Sequence, residues 1–291
     1  MSMQTPNANS PETVDRLRVL TLNLFGRRHD WTERRTAILT GLRTLNPDLV
    51  GFQESIVDDE YDQVRDLLGP EYHIVHQGNR EPGEPPDVER GQGFSIASRW
   101  PLTDVHELDL HVTPRTADFA CGAMVTTLRA PAPLGPLMVV YHNPSWKLQL
   151  EYERQLQAPI TARFVEELVG DRELPVVLFG DLDADPNASS VRFWTGRHAL
   201  DGMSVCYRDC WESAHPGEPG HTFSRASPLM GDRDWPFKRV DYLFVRCGEH
   251  GGPLLDIESC DLAFDEPIDG IWASDHFGLV ADLAVPTRHH R

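Results

Sequence analysis

Acidic and amide side chains repeatedly follow short apolar segments of this chain. The oxygen-bearing members of this set are Asn23, Glu54, Asp181, Asp183 and Asp275. Oxygen ligands select hard cations such as magnesium, manganese or calcium rather than zinc or copper. Side chains at strand ends are held rigidly and stay open to solvent, which suits a metal or catalytic site. We therefore expect the set to bind a hard divalent cation, Mg²⁺ or Mn²⁺.

Two histidines, His142 and His276, accompany this set, and Asp241 lies inside another apolar run. Histidine can transfer protons and hydrogen-bond an anionic oxygen at neutral pH. Hydrolysis of a phosphate ester needs a cation on the phosphoryl oxygens, a base for the water and donors for the developing charge. The combined set therefore indicates metal-assisted phosphoryl chemistry.

The acidic segment 181–187 has other interpretations when it is taken alone. Asp and Asn favour turns and helix caps, so the segment also suits a turn before a helix without any metal. Its alternating acids resemble a calcium loop as well. That interpretation fails because Pro186 replaces the glycine of the sixth position and Arg192 replaces the glutamate of the twelfth.

The elements that must position these residues begin with an alternating strand at residues 17–24. Asp30 and Glu33 have the spacing of a helix capping box, and Asn46 with Pro47 predicts the end of that helix. A short apolar run at 49–52 predicts a buried strand that leads into Glu54.

Further along, residues 77–93 are dense in Gly, Pro and charge and predict a mobile surface loop. Residues 148–169 have helical periodicity, with Pro159 predicting a kink or break. The remaining apolar runs predict strands at 94–97, 122–128, 137–141, 176–179, 240–245 and 279–285. Strands outnumber helices, and the helices fall between strands, which predicts an α/β or α+β domain with helices covering a β core.

The polar start of the chain predicts a disordered leader at 1–16, followed by one domain at 17–286 and a tail at 287–291. With 27 Lys and Arg against 45 Asp and Glu, the net charge is −18, which repels phosphate backbones and anionic membranes. No signal peptide or membrane span is evident, and the five cysteines lack metal-site spacing. We therefore expect a cytoplasmic protein with buried free thiols.

Six segments of the chain resemble, in order, motifs of the endonuclease/exonuclease/phosphatase superfamily. They are residues 20–24 (LTLNL), 47–54 (PDLVGFQE), 93–101 (GFSIASRWP), 178–186 (LFGDLDADP), 239–244 (RVDYLF) and 274–280 (SDHFGLV). Several independent motifs in one order across nearly the whole chain make the resemblance specific. It implies a deoxyribonuclease-I-like fold, a four-layered sandwich of two facing mixed β-sheets flanked by helices.

The resemblance also implies roles for the site residues. Glu54 would bind the divalent cation, with Asn23 and Asp275 close to it. His276 would act as the general base that activates the attacking water, and Asp241 would orient its imidazole.

Two further roles follow from the same resemblance. Asp181 would position the water or a second metal ion, and His142 would donate a hydrogen bond to a phosphoryl oxygen.

The chain departs from the family pattern at two places. Asp183 stands where the family usually has Asn, so it adds negative charge beside the phosphate and predicts a stronger dependence on metal or a second cation. Around His142 the sequence is YHNP at 141–144, where the family commonly has Thr-His-Leu.

The family acts on nucleic acids, inositol phosphates, sphingomyelin and small diesters, so the fold does not name the substrate. The acidic charge favours a phosphodiesterase or phosphatase acting on a small or lipid-like phosphoester. A DNA or RNA nuclease is the alternative, and a catalytically inactive binding scaffold is the second. Trp146 and Trp272 adjoin motif segments and are candidates for substrate contact.

Overall fold

The computed structural model describes residues 13–82, 89–231 and 235–287 and contains two β-sheets with helices on their outer faces. The strands are β1 (Arg16–Asn23), β2 (Leu49–Ile56), β3 (His73–His76), β4 (Gln92–Ser98), β5 (Leu102–Asp109), β6 (Gly122–Arg129), β7 (Pro136–Asn143), β8 (Val176–Asp181), β9 (Tyr207–Asp209), β10 (Asp241–Arg246), β11 (Asp256–Ala263) and β12 (Gly278–Ala284). The α-helices are α1 (Trp31–Leu45), α2 (Gln63–Leu68), α3 (Glu151–Val169), α4 (Ser189–Trp194) and α5 (Cys210–Ala214). None of the described helices is long and apolar enough to cross a membrane.

Each sheet has six strands. The first has the order β11-β12-β1-β2-β4-β3, and the second has the order β5-β6-β7-β8-β10-β9. Strand β1 is parallel to β2 and β7 is parallel to β8, whereas the other pairs are antiparallel, so both sheets are mixed. The predicted sandwich of two facing mixed sheets flanked by helices is confirmed.

Three apolar clusters separate the four layers. The largest lies between the sheets and joins Val19 and Phe94 of the first sheet to Tyr141, Phe179 and Leu243 of the second. A second cluster packs α3 and α4 on the outer face of the second sheet, and a third packs α1 and α2 on the outer face of the first. Burial of these apolar side chains supplies the main driving force for the sandwich.

The two sheets approach each other closely at Gly51 of β2. A Cβ atom at this position would lie 2.1 Å from the ring of Phe179 in the facing sheet. Only glycine leaves room for that ring, so Gly51 allows the strand that carries Glu54 to pack against the strand that carries Asp181.

Helix α1 forms as its capping residues predict. The side chain of Asp30 accepts a hydrogen bond of 3.1 Å from the backbone N–H of Glu33. At the other end, Asn46 takes the left-handed conformation and its N–H closes the last turn on the carbonyl of Leu42. Helix α3 runs through Pro159 without ending, so the predicted break at this proline does not occur.

Residues 13–16, which the predicted leader includes, belong to the described structure. Val14 pairs with Pro133, Asp15 accepts from the N–H of Val285, and β1 already includes Arg16. Residues 1–12 of the predicted leader and 288–291 of the predicted tail lie outside the described residues.

The prediction of a mobile loop at 77–93 is wrong for its described flanks, while residues 83–88 lie outside the described part of the chain. Gln77 is buried and donates to the carbonyl of Ala120. Arg80 donates to the carbonyls of Ser55, Gly91 and Phe94, which fixes its segment against the edge of the first sheet. The composition did not reveal these contacts because the half-buried Arg80 depends on carbonyls that are distant in sequence.

Candidate active site

Two strands of the second sheet place the acids Asp181 and Asp241 side by side. Asp181 is the last residue of β8, Asp241 is the first of β10, and the two are direct partners in the antiparallel register. Side chains alternate along a strand, so both acids share the face of Phe179 and Leu243, which points between the sheets. The acids therefore lie at the end of the central core, where the sandwich opens.

Glycine precedes Asp181 for a steric reason. A Cβ atom at Gly180 would lie 2.2 Å from the carbonyl oxygen of His142 on the neighbouring strand β7. Only glycine lets β7 and β8 run this close at the position before the acid.

The imidazole of His276 completes this group from the segment that enters β12. Its Nδ1 lies 3.0 Å from Oδ2 of Asp241 and 3.8 Å from Oδ2 of Asp181. Its backbone N–H donates to the hydroxyl of Ser274, and its ring lies 4.8 Å from the ring of Phe223. These contacts hold the imidazole in one orientation, with its Nδ1 facing the carboxylates of Asp241 and Asp181.

The charges of this group are strongly coupled. Burial would lower the pKa of His276, but the carboxylates of Asp241 and Asp181 oppose it and raise that pKa well above the usual range. Burial, together with the charges of Asp183 and Asp241, raises the pKa of Asp181. The negative charges of the two acids therefore favour the charged form of the imidazole.

Asn23 links the two sheets at the same end of the sandwich. It ends β1 in the first sheet, and its Nδ2 donates to Oδ2 of Asp181 at 3.2 Å. Its Oδ1 accepts from the backbone N–H of Phe25 at 2.9 Å. The predicted site residue therefore contacts the acid of β8 directly.

A second acidic group surrounds Glu54. This residue has a φ of 50°, at an irregularity in the pairing of β2 with β4. Such backbone strain clusters at functional sites. Oε2 of Glu54 lies 2.5 Å from Nη1 of Arg28. Burial and the charge of Glu54 raise the pKa of Asp275 to about 6, although the positive charge of His276 opposes the rise.

Asp183 contacts the first group through its backbone. Its φ is 50°, and its backbone N–H donates to Oδ1 of Asp181 at 3.2 Å. Burial raises its pKa to about 7, although the positive charges of His276 and Arg154 oppose that rise. Several acids with raised pKa values in one place favour the binding of a proton or a cation.

The residues present fit a divalent cation. Asp181, Asp241 and His276 each bring one ligand atom within 4.8 Å of the others, a spacing that can hold a metal ion. Oδ1 of Asp241 is buried and, within the described chain, has no hydrogen-bond partner. The neighbouring carboxylates of Glu54 and Asp275 are hard oxygen donors, the class that Mg²⁺ and Mn²⁺ prefer.

The sequence profile described as "Endonuclease/Exonuclease/phosphatase family" matches residues 20–276, a range that includes all these site residues. The chain belongs to this family. A search of curated proteins finds no significant match to the chain. The family comprises metal-dependent phosphoesterases and nucleases.

Solved structures of other family members share the fold. D. rerio TDP2 complexed with single strand DNA product has a TM-score of 0.70 at 17% identity, covering 93% of this chain and 99% of that one. The human Nocturnin catalytic domain with bound sulfate anion has a TM-score of 0.70 at 20% identity, and the match covers 94% of this chain and 97% of that one. The endonuclease/exonuclease/phosphatase from Bacteroides vulgatus has a TM-score of 0.67 at 20% identity, and the match covers 93% of this chain and 99% of that one.

His142 lies apart from the cluster that the family motifs form. Its neighbour Tyr141 belongs to the core between the sheets, so His142 points to the outer face of the second sheet. Its Nδ1 lies 3.0 Å from the hydroxyl of Thr161 on α3, and its ring packs against Trp194. By the same alternation, Asn143 shares the face of Tyr141 and Asp181.

Burial keeps His142 neutral and makes stability depend on pH. Its pKa falls from 6.5 to about 3 in the folded protein. Between these values the unfolded chain binds the additional proton, so this contribution to stability is complete above pH 6.5 and decreases as the pH falls. From pH 6.5 to 5 we expect His142 to remove about 2 kcal/mol from the free energy of unfolding.

Urea unfolding of the wild type and of His142→Gln at several pH values measures this contribution. The glutamine amide stays neutral, so the free energy of unfolding of the variant should fall less steeply on acidification than that of the wild type. The exposed His73→Gln variant should follow the wild type. Equal slopes for His142→Gln and the wild type would contradict the prediction.

The two predicted tryptophans differ in their surroundings. Trp146 is 41% exposed, just beyond the end of β7, with the ammonium of Lys147 5.7 Å from its ring centre. Trp272 is half-buried and stacks on Phe277, beside the segment that carries His276. Their contact with substrate stays a prediction.

Three residues near the family site carried little signal in the sequence. Arg28, which pairs with Glu54, belongs to a short basic pair of a kind usually found on solvated surfaces. Phe223, beside His276, lies in a segment without periodicity. Asn143 follows His142 directly, so strand alternation places their side chains on opposite faces of β7. That alternation could have indicated Asn143 as the residue that faces the site.

Proposed function

We propose that the protein is a divalent-metal-dependent phosphoesterase that hydrolyses a phosphodiester or phosphomonoester with a water activated by His276. The hydrogen bond of 3.0 Å between His276 and Asp241, with Asp181 beside it, carries this proposal. An oriented imidazole next to a set of hard oxygen donors is what metal-assisted attack of water on phosphorus requires.

Each residue has a distinct part in this mechanism. The cation, held by Glu54, Asp275 and Asn23, would neutralise charge on the phosphoryl oxygens. His276 in its neutral form takes a proton from the attacking water, and Asp241 stabilises the imidazolium that results.

Other side chains position the reacting groups. Asp181 accepts from Asn23 and has its second oxygen near the backbone N–H of Asp183, so it can orient the water or a second metal ion. Donation to a phosphoryl oxygen was predicted for His142, and it stays a prediction. Asn143 lies on the face of β7 that points towards Asp181 and is the better-placed donor.

We favour a small or lipid-like phosphoester as the substrate. The net charge of −18 repels long polyanions. Beyond the end of β7, Trp146, Leu148 and Tyr152 expose 41%, 47% and 60% of their surfaces within seven residues. Their apolar surface suits a hydrophobic group attached to the phosphate.

Nuclease activity is the second candidate. The ring of Phe223 lies 4.8 Å from that of His276 and offers a face on which a base can stack. D. rerio TDP2, which shares this fold, is complexed with a single strand DNA product. An inactive scaffold is disfavoured because the acids and His276 are all present.

Hydrolysis assays separate the three candidates. The purified protein is incubated with a chromogenic phosphodiester, a phospholipid or plasmid DNA, each with Mg²⁺, Mn²⁺ or a chelator. If the protein hydrolyses the chromogenic phosphodiester and the phospholipid, and the chelator abolishes both activities, the proposed function is supported. Metal-dependent nicking of plasmid without turnover of the small esters supports the nuclease, and no turnover of any substrate supports the scaffold. The predicted cytoplasmic location stays a prediction.

Asp183 gives a separate prediction about metal. Removing its charge by Asp183→Asn should weaken Mn²⁺ binding about tenfold, or about 1.4 kcal/mol, because the carboxylate lies among the acids of the site. Calorimetric titration and the Mn²⁺ dependence of hydrolysis measure the change. The control is Asp185→Asn in the same loop, whose carboxylate caps the N–H of Asn187. Equal Mn²⁺ affinity in the wild type and Asp183→Asn would exclude this role.

A further inference from the structure

Two cysteines form a pair at the edge of the second sheet. The register of β9 with β10 pairs Tyr207 with Arg246, so Cys206 and Cys247 face each other at the next position. The N–H of Cys247 donates to the carbonyl of Cys206 at 2.9 Å. Direct partners in an antiparallel pair have Cα atoms about 5.5 Å apart, which is inside the range that a disulfide spans.

The side chain of Cys206 also influences the ionisation of Cys247. Burial, and then a hydrogen bond to the thiol of Cys206, raise the pKa of Cys247 to about 11. Arg208 opposes this rise through its charge and its own hydrogen bond to Cys247. The net rise leaves Cys247 as a neutral thiol at neutral pH, the less reactive form, which suits the second step of an exchange rather than the first.

Access to the pair is asymmetric. Cys206 is exposed, whereas Cys247 is buried. Cys206 lines two neighbouring surface cavities of about 410 and 360 Å³, and Cys247 lines the larger one. A small disulfide can therefore reach Cys206 first. The other three cysteines, Cys121, Cys210 and Cys260, are at most 2% exposed, which shields them from the same reagent.

We propose that Cys206 and Cys247 form a reversible disulfide by exchange with a low-molecular-weight disulfide such as oxidised glutathione. Cys206 loses its proton to solvent, and its thiolate attacks one sulfur of the reagent and releases one glutathione thiolate, which takes up a proton from solvent. The sulfur of Cys247 then attacks that of Cys206, and the second glutathione leaves with the proton of Cys247. Two protein thiols are oxidised and one glutathione disulfide is reduced to two thiols.

This pair is remote from the phosphoester site. Asp241 begins β10 and Cys247 follows its end, six residues later, so the two lie about 20 Å apart along the strand. The disulfide would close a loop containing Phe223 and Asp241, both contacts of His276. Oxidation would therefore link the two ends of the segment that supports the imidazole and restrict the conformations of that segment.

Thiol counting and peptide mapping test the proposal. The full chain is titrated with reduced and oxidised glutathione at defined ratios, quenched with acid and alkylated. In oxidising buffer the thiols counted in denaturant should fall from all five to those of Cys121, Cys210 and Cys260. The mass should fall by about 2 Da as two thiol hydrogens are lost. One cross-linked peptide should join Cys206 to Cys247, and excess reduced glutathione should restore both thiols.

Serine variants assign the order of attack. Cys247→Ser lacks the second thiol and should accumulate glutathione on Cys206, whereas Cys206→Ser should acquire neither glutathione nor a cross-link. Cys121→Ser is the control and should form the cross-link like the wild type. A wild-type protein that keeps all five thiols, retains glutathione on Cys206 or cross-links a different pair would overturn the proposal. The wild-type map decides the matter even if a variant fails to fold.

Discussion

His276→Gln is expected to lower kcat/KM for phosphoester hydrolysis about a thousandfold. Glutamine can keep a hydrogen bond to Asp241, but it cannot take a proton from water. The variant also loses the imidazole on which positive charge forms when it accepts the proton, a charge that Asp241 and Asp181 stabilise. The loss should fall mainly on kcat, because the group acts on the water rather than on the bound ester.

Initial rates against substrate concentration, measured over a range of pH at saturating Mn²⁺, check this expectation. The rising limb of the pH profile should disappear in His276→Gln, because the group that must lose a proton is gone. His76→Gln is the matched control, since His76 is half-buried and hydrogen-bonded to Ser95 on the neighbouring strand β4, outside the group around Asp241. Retention of more than about one tenth of the wild-type rate would remove His276 from the base role.

The strands that the sequence predicts correctly are those at the centre of the sheets. All eight central strands, including β1, β7 and β8, follow apolar runs that the pattern identifies. The four strands that it missed, β3, β5, β9 and β11, are the four edges of the two sheets. An edge strand such as β5 exposes most of its side chains, so it lacks the apolar run that marks a central strand.

The site follows the same division between local and distant information. Asp181, Asp241 and His276 could be predicted because each lies in a short motif beside a central strand. Short patterns do not show what a side chain contacts across the fold. Arginine is usually exposed, and Arg34 adjoins another arginine in the sequence, yet Arg34 is only 2% exposed. His142 faces α3, and only the arrangement of sheets and helices shows that this face of β7 lies away from the other sheet.

Arg34 joins two loops of the active site by hydrogen bonds to their carbonyls. From helix α1 its guanidinium donates to Leu24, Gly26 and Arg28 in the segment after β1. Its Nε donates to the carbonyl of Ala273 at 3.0 Å, two residues before Asp275. Burial lowers its pKa to about 10, so it remains charged at neutral pH.

Arg34→Met is therefore expected to lower the free energy of unfolding by about 4 kcal/mol, because it removes a charged donor from the carbonyls of Leu24, Arg28 and Ala273. The carbonyl of Gly26 keeps the side-chain amide of Gln63 as a donor. The protein should still fold, since typical domains are stable by about 5–15 kcal/mol. Loosening the segments that hold Arg28 and Asp275 should also reduce kcat/KM by about tenfold or more. Urea unfolding followed by circular dichroism, and kinetics at saturating Mn²⁺, measure both effects.

Arg35→Met is the control, because this neighbouring arginine makes a partly exposed ion pair with Asp66. Such a pair contributes about 0–1 kcal/mol, so the variant should unfold and turn over much like the wild type. Arg34→Lys should fall between Arg34→Met and the wild type, since an ammonium keeps the charge but cannot reach carbonyls on both loops at once. If Arg34→Met costs no more stability than Arg35→Met, the two loops are held together by packing and not by the guanidinium.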